Sequence, residues 1–281
     1  MTQSPAPAPA DDAAHPMDLA TRLAPLGDDR FRGHTSEHYA NLLGPFGGAT
    51  AAVMLNAAMR HPARIGEPIA LTVNYAGAVA DGPFDILARP VRTNRSTQHW
   101  SLEMSQPGQG VVTTATAVFA RRRTGWSSTE AVFPQVPPPE QCPPSVWTNK
   151  SAWPRSYQMR FVRGPIEDDP HGREGVDSVT TMWIRDEPPR PLDFLSLAAI
   201  CDAFFPRVYV RRRRWVPAST VTLTVYFHTD AAGLAAHGAR ELLGTARALQ
   251  FRNGYFDQTG EVWSPAGELF ATTHQAVYYR D

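Results

Sequence analysis

The sequence predicts an α+β fold built from two copies of one unit, each an antiparallel β-sheet wrapped around a single helix. The tripeptide Leu-Thr-Val stands at residues 71–73 and again at 223–225. Each copy follows a helix-like segment and precedes a threonine-rich strand. Such an order, repeated at about half the chain length, is typical of a duplicated unit. We expect the two sheets to join edge to edge into one continuous sheet, because each unit alone would leave an open edge.

The two predicted central helices are residues 46–60 and 192–205. In the second, apolar residues recur at helical spacing, which describes a face buried against a sheet. The first opens with Phe46, Gly47 and Gly48. Two glycines permit close approach of another backbone or of a ligand, and they leave free N–H groups at the positive end of a helix. Tight helix packing and ligand binding explain these glycines equally well.

The strands are predicted from alternation and composition. Residues 220–227 alternate Thr or Tyr with Val, Leu or Phe, and residues 111–119 and 269–279 are rich in threonine and apolar residues. These patterns are typical of half-buried β-strands. Along the last strand, Gln275 shares one face with apolar residues, so we expect it to be buried and to need hydrogen-bond partners.

Four segments are predicted along the chain. Residues 1–20 are expected to be a disordered tail, because the start is rich in Pro and Ala and lacks the apolar run of a signal peptide or membrane anchor. Residues 21–132 form the first unit and residues 151–281 the second, which carries the catalytic residues. Between them, residues 133–150 form a proline-rich linker, whose prolines remove backbone donors and favour an extended chain.

Composition narrows the range of partners and compartments. Lys plus Arg and Asp plus Glu number 27 each, so the net charge gives no reason to expect a nucleic-acid partner. The two cysteines favour a reducing compartment, and no apolar window is long enough to span a bilayer. We therefore expect a soluble cytoplasmic protein. The histidines show no metal-ligand spacing, so neither a metal nor another cofactor is predicted.

Asp202 is the strongest candidate for chemistry. It falls on the apolar stripe of the second predicted helix, where a carboxylate is costly unless it is paired or hydrogen-bonded. Burial would raise its pKa and make it a better base for activating water. The alternative is an aspartate at a helix end that turns to solvent. Gln275 can fix a water without competing for its proton, although it could equally bridge backbone groups. Thr220 gains meaning only from its position between the other two.

Four segments carry a resemblance to a known family. They are the start of the first helix at 46–48, Asp202, the strand 219–228, and the closing strand 267–275. In this order they resemble the acyl-CoA thioesterase II family of double hot-dog proteins, over residues 30–281 apart from the linker. The resemblance implies a double hot-dog fold, in which two hot-dog units share one continuous sheet.

The resemblance also implies a function. In that family an Asp, a Thr and a Gln hold the hydrolytic water, and matching motif to motif places these roles on Asp202, Thr220 and Gln275. The implied reaction is hydrolysis of a fatty acyl-CoA to the free acid and coenzyme A, within lipid metabolism. The family pattern assigns nothing to Arg207 or to the arginine run 211–214.

Further residues are candidate substrate contacts. Backbone N–H groups at Gly47 and Gly48, beside Phe46, are candidate oxyanion donors. Arg211 and Arg212 are candidate ligands for the phosphates of coenzyme A, because guanidinium groups match phosphate oxygens. A solvated loop or a contact in a homo-oligomer is an equally open interpretation of the arginines.

Two other functions stay open. One is a non-catalytic module that binds acyl-CoA or an acyl carrier. The other is a hot-dog hydratase or dehydratase, although such enzymes pair a His with an Asp and neither predicted helix presents that pair. The chain has no Gly-x-Ser-x-Gly motif, so a serine mechanism of the α/β-hydrolase type is not indicated.

Overall fold

The computed structural model describes residues 14–148, 150–166 and 172–281. The helices of these residues are α1 Pro16–Ala20, α2 Gly47–Arg60, α3 Phe194–Ile200, α4 Arg207–Arg212 and α5 Ala231–His237. The strands are β1 Ala24–Gly27, β2 Arg30–His34, β3 Glu67–Tyr75, β4 Pro83–Thr93, β5 Thr97–Gln106, β6 Gly110–Ala120, β7 Tyr157–Arg163, β8 Thr180–Asp186, β9 Ala218–Phe227, β10 Leu242–Arg247, β11 Phe251–Arg252, β12 Tyr255–Trp263 and β13 Leu269–Tyr279.

All described strands belong to one sheet of 13 strands. Their order is β1-β2-β4-β5-β6-β3-β9-β13-β12-β10-β8-β7, with β11 paired to β12. The first six strands of this path come from the first half of the chain and the others from the second half. Neighbouring strands are antiparallel, including β3 and β9, where the halves meet. The predicted architecture, two hot-dog sheets joined into one, is confirmed.

The repeated tripeptide forms the join between the halves. Leu71 faces Val225 and Val73 faces Leu223 across β3 and β9. The central pair is Thr72 with Thr224, whose hydroxyl oxygens lie 3.0 Å apart. The two copies therefore run past each other symmetrically, and the polar threonines bond on one face while the apolar residues enter the core on the other.

The second central helix is shorter than predicted. It begins at Phe194, where the Asp193 side chain accepts a hydrogen bond from the backbone N–H of Ser196 at 2.8 Å, and it ends at Ile200 rather than at residue 205. The chain then tightens into a turn that leads to Pro206. Proline cannot continue a helical ladder and disfavours helical geometry in the residue before it. These restrictions keep residues 205 and 206 out of the helix, and the helix already ends before Asp202.

The predicted disordered tail is wrong for its last residues. Residues 16–20 form α1, in which Met17 is fully buried. The His15 side chain caps this helix by accepting from the backbone N–H of Met17 at 3.0 Å, and its other ring nitrogen lies 2.8 Å from the carbonyl oxygen of Pro188. Burial of the Met17 side chain in the core stabilises this segment as a helix. Residues 1–13, the rest of the predicted tail, lie outside the described residues.

The linker packs onto the second half of the sheet. The indole N–H of Trp183 donates to the carbonyl oxygen of Pro137 at 2.9 Å, and the ring of Phe133 meets Trp263 edge to face at 5.7 Å. Cys142 is buried in the same small apolar cluster. In the part of the chain that the structure describes, no helix is long and apolar enough to cross a membrane.

Candidate active site

Asp202 lies in the turn that follows α3, not within the helix as predicted. Its backbone N–H bonds the carbonyl oxygen of Ala199 at 3.0 Å, an i to i−3 contact that tightens the last turn. The residue is only 8 % exposed. The turn brings its carboxylate to the first residues of α2, so the site lies between the end of one central helix and the start of the other.

The structure brings the three predicted catalytic side chains into one hydrogen-bonded chain. The Gln275 amide Nε2 donates to Asp202 Oδ1 at 3.0 Å. The Thr220 hydroxyl donates to Gln275 Oε1 at 3.3 Å. The three residues come from the turn after α3, from β13 and from β9. Gln275 is the middle member, and Thr220 contacts the amide rather than the carboxylate.

A β-bulge turns Thr220 into the site. Strict alternation along β9 would send Thr220 to the outer face of the sheet and Val221 to the core. The pairing of β9 with β13 slips by one residue, because Thr222 faces Ala276 whereas Thr220 faces Val277. Val221 is the extra residue and is 38 % exposed. Bulges often redirect a side chain beside a functional site, and this one places Thr220 on the inner face.

Burial brings the pKa of Asp202 close to neutral pH. Desolvation raises the pKa of its carboxyl to about 7, while hydrogen bonds from the Gln275 amide and from the Gly48 backbone N–H act in the opposite direction. A carboxyl with such a pKa is divided between its two forms at neutral pH. This property suits a general base, which must accept a proton and release it again.

Gly47 is a glycine because two polar groups press against it. A Cβ built on Gly47 would lie 2.7 Å from Asp202 Oδ2 and 3.2 Å from the hydroxyl oxygen of Tyr75. The Tyr75 hydroxyl donates to the carbonyl oxygen of Gly47 at 2.8 Å. Burial, followed by the charge of Asp202, raises the pKa of this phenol well above its usual value. The sequence interpretation missed Tyr75, although alternation from Leu71 and Val73 already puts it on the inner face.

Gly48 serves the packing of the two helices. A Cβ on Gly48 would lie 2.5 Å from the carbonyl oxygen of Ala199 and 2.5 Å from the ring of Phe46. Phe46 itself is 3 % exposed and stacks on Trp153 with ring centroids 4.3 Å apart. Phe46 therefore forms part of an aromatic cluster beside the site. Tight packing thus explains Gly48 and the contact of Gly47 with the carboxylate, whereas ligand binding at these glycines stays a prediction.

Arg211 and Arg212 form ion pairs on the surface. Arg211 Nη1 lies 2.8 Å from a carboxylate oxygen of Glu174, and Arg212 pairs with the side chain of Asp281. An incoming phosphate would have to displace these carboxylates. The structure does not bring either arginine into contact with Asp202.

A second buried carboxyl lies near the start of α3. Burial raises the pKa of Asp186 to about 6, and the Ser196 hydroxyl donates to it.

Within the described ranges, no group of three or more His, Cys, Asp or Glu residues could hold a metal ion.

Family comparisons divide the chain in the same way as the fold. An acyl-CoA thioesterase N-terminal domain matches residues 36–120, and an acyl-CoA thioesterase C-terminal domain matches residues 139–279. The first match lies within the predicted first unit, and the second begins inside the predicted linker. No curated protein sequence matches the chain with significance.

Several solved structures share the fold. A conserved protein of unknown function with a hot-dog fold, from Alicyclobacillus acidocaldarius, is 52 % identical, with a TM-score of 0.90 over 96 % of this chain and 99 % of that one. A thioesterase II assigned only provisionally, from Thermobifida fusca, is 18 % identical, with a TM-score of 0.81 and coverage of 96 % and 99 %.

An acyl-CoA thioesterase II from Mycobacterium marinum is 20 % identical, with a TM-score of 0.74 over 94 % of this chain and 98 % of that one. The last two likenesses concern the fold alone. Family membership rests on the domain matches, which together cover most of the chain. With a hot-dog domain of each kind in tandem, the chain belongs to the acyl-CoA thioesterase family.

Proposed function

We propose that this protein hydrolyses an acyl-CoA thioester to the free acid and coenzyme A, with Asp202 as general base. The observation that carries the proposal is the buried hydrogen-bonded chain of Asp202, Gln275 and Thr220 beside the start of α2. Asp202 and Gln275 are buried, and buried polar groups are costly unless they are hydrogen-bonded. Their mutual bonds and the raised pKa of Asp202 favour a catalytic site over tolerated polar packing.

Each member of the chain has a distinct part in the reaction. Asp202 accepts a proton from a water molecule, whose oxygen attacks the thioester carbonyl carbon. Gln275, fixed by Thr220, orients the carboxylate and the water. The carbon–oxygen bond forms first, and the carbon–sulfur bond then breaks as the tetrahedral intermediate collapses. The proton that Asp202 received passes to the departing thiolate or to solvent.

The start of α2 is suited to stabilise the oxyanion. The first N–H groups of a helix have no partner within the helix, and its dipole favours negative charge there. Gly47 and Gly48 supply two of these groups on a helix of 14 residues. Because Gly48 also interacts with Asp202, Gly47 is the better candidate donor. Both glycines belong to the first half, so the proposed site is completed across the two halves.

The substrate contacts follow from the surroundings of the site. Phe46, Trp153 and Phe205 form an aromatic wall beside the turn of Asp202, and an acyl chain would pack against it. Arg211 and Arg212 remain proposed contacts for the phosphates of coenzyme A. Binding there would exchange one anionic partner for another, so the expected contribution to affinity is small.

Thiol release from a panel of acyl-CoA substrates tests the proposal. We expect turnover by the wild-type protein and a loss of about 10²-fold or more in Asp202→Asn, the scale that loss of a general base usually has. The variant keeps the shape of the side chain, so circular dichroism and thermal unfolding should show a folded protein. A folded Asp202→Asn protein with wild-type turnover contradicts the mechanism. Binding of acyl-CoA without any turnover supports the binding-module alternative instead.

A further inference from the structure

Arg207 is a buried cation without a carboxylate partner. Its exposure is 0 %, and it forms no salt bridge with any carboxylate of the described residues. Burial lowers the pKa of its guanidinium to about 9. An unpaired charge in the interior is costly unless hydrogen bonds replace its hydration. The buried position of Arg207 therefore depends on the hydrogen bonds that its guanidinium makes.

Neutral oxygens from separate elements hold the guanidinium. Its Nε donates to the Phe205 carbonyl oxygen at 2.9 Å and to Gln258 Oε1 at 2.9 Å. Its Nη1 donates to the Ser178 carbonyl oxygen at 3.1 Å and to the Thr180 hydroxyl at 2.6 Å. Its Nη2 reaches the Phe205 carbonyl as well. A rigid planar fork can serve all these acceptors, whereas a lysine ammonium cannot span them.

Two of these acceptors lead directly to the proposed catalytic residues. Phe205 belongs to the same turn as Asp202. Gln258 stands opposite Gln275 in the register of β12 and β13. Arg207 therefore ties the turn that carries the carboxylate to the strand pair that carries its amide partner.

This turn depends on tertiary anchors because it lies outside the helical ladder. The ring of Phe204 packs where β10 and β12 have glycines. A Cβ added to Gly244 would lie 2.7 Å from this ring, and a Cβ added to Gly260 would lie 3.4 Å from it. The ring sets how deeply the turn sits on the sheet, and the guanidinium sets its position along the strands.

We propose that Arg207, acting through Gln258 and the Phe205 carbonyl, is the positioning residue that sets the geometry between Asp202 and Gln275. The catalytic part of this inference rests on the proposed thioesterase function. The geometric part does not, since it concerns only how a turn is held against a strand.

The decisive variant is Arg207→Lys, which keeps the charge and removes the fork. We expect kcat to fall about tenfold or more while KM changes less than about twofold, since the side chain acts on orientation rather than on substrate binding. Loosening the turn admits water to Asp202. Because burial is the main cause of its raised pKa, the pKa should fall towards the usual aspartate value. The acidic limb of the kcat profile should move to lower pH accordingly.

Arg160→Lys is the matched control. Arg160 likewise donates to a backbone carbonyl, that of Cys142 at 2.8 Å, and to a glutamine, Gln158, at 3.2 Å, but it anchors the linker. The Arg160→Lys variant should have a lower melting temperature than the wild type, with an unchanged kcat and an unchanged pH profile of kcat. If Arg207→Lys does not fold, Gln258→Leu removes one acceptor and should show the same effects more weakly.

A ¹³C NMR titration measures the pKa of the Asp202 carboxyl without substrate, and comparison with the Asp202→Asn spectrum assigns the signal. A change in this pKa reports a change in the surroundings of the carboxyl. A shifted titration in a folded Arg207→Lys protein supports the positioning role, even if no acyl-CoA is turned over and the proposed function fails. An unchanged titration together with unchanged kcat in folded Arg207→Lys and Gln258→Leu overturns it and leaves Arg207 a purely structural residue.

Discussion

The two halves of the sheet share a backbone irregularity but differ in the residue that it turns inward. In the first half, the pairing of β3 with β6 slips between Pro68 and Ala70, and Pro68 faces Phe119. In the second half, the slip between β9 and β13 leaves Thr220 facing Val277. The bulge is thus part of the common scaffold. Only the second half uses it to present a hydroxyl.

The same contrast continues across the next strands. Leu71 of the first half faces Ala117, and Ala117 faces Trp100. At the corresponding places of the second half, Leu223 faces Gln275, and Gln275 faces Gln258. An apolar pair in one half is replaced by two amides in the other. With the strand register unchanged, a few side chains are enough to make one half a packing unit and the other a polar site.

The central helices differ as well. Helix α2 runs for 14 residues and holds no carboxylate, whereas α3 has seven residues and gives way to the turn of Asp202. The first half nevertheless contributes to the site through Gly47 and Tyr75. Single substitutions can remove these differences between the halves one at a time.

Gly47→Ala should abolish most activity. The added Cβ would stand 2.7 Å from Asp202 Oδ2, so the carboxylate has to move. We expect turnover to fall about 10²-fold, the scale of losing correct placement in a catalytic site. Gly77→Ala is the control, because its Cβ meets no atom closer than 3.8 Å. Equal turnover in both variants would show that the first half does not shape the site.

Gln275→Ala gives the second half the residue that the first half has at Ala117. We expect turnover to fall by about 10- to 10²-fold, less than for loss of the base, since a water can partly replace the amide. The Asp202 carboxyl also loses a hydrogen bond that lowers its pKa. The acidic limb of the kcat profile should therefore move to higher pH. A kcat profile identical to that of the wild type would argue against the amide as the partner of Asp202.

Thr220→Val tests the hydroxyl that the bulge presents. The substitution keeps the branched shape but removes the donor to Gln275, which lies 3.3 Å away. Loss of one neutral hydrogen bond corresponds to about 1 kcal/mol, so turnover should fall by about threefold to tenfold. Steady-state thiol release measures the turnover of this variant. Val221→Thr alters the outward residue of the same bulge and should leave turnover unchanged.

The smallest effect concerns stability and pH. Because the pKa of Asp202 is about 7 in the folded protein and ordinary when unfolded, the folded state holds its proton more tightly. This group therefore makes the unfolding free energy fall as pH rises from about 4 to about 7. Asp202→Asn should remove that loss. The unfolding free energy of the variant, relative to the wild type, should therefore grow by about 2.6 kcal/mol between pH 5 and pH 8.

Urea unfolding of the two proteins at both pH values checks this prediction. Taking the difference between them cancels the parallel contribution of Asp186, whose pKa is also raised. If the difference in unfolding free energy between the two proteins stays the same at pH 5 and pH 8, Asp202 is solvated in the folded protein, as a helix-end aspartate turned to solvent would be.

The duplicated sheet and two of the polar residues in the site can be predicted from the order of residues along the chain. Period-two alternation and the repeated tripeptide depend on local side-chain order, and the same repeat then pairs Thr72 with Thr224 at the join. Asp202 and Gln275 stood out because a polar residue on an apolar face is unusual at any position in a chain. These signals need no knowledge of the neighbouring elements.

The contacts among those residues depend on how distant parts of the chain pack together. The inward turn of Thr220 depends on a slip against β13, which alternation along β9 alone contradicts. The contact of Tyr75 with Gly47 depends on where α2 lies over β3. The turn of Asp202 is held by Arg207 through oxygens far apart in the sequence. Local periodicity can place a side chain on a face, but distances between elements arise only from the packing of the whole chain.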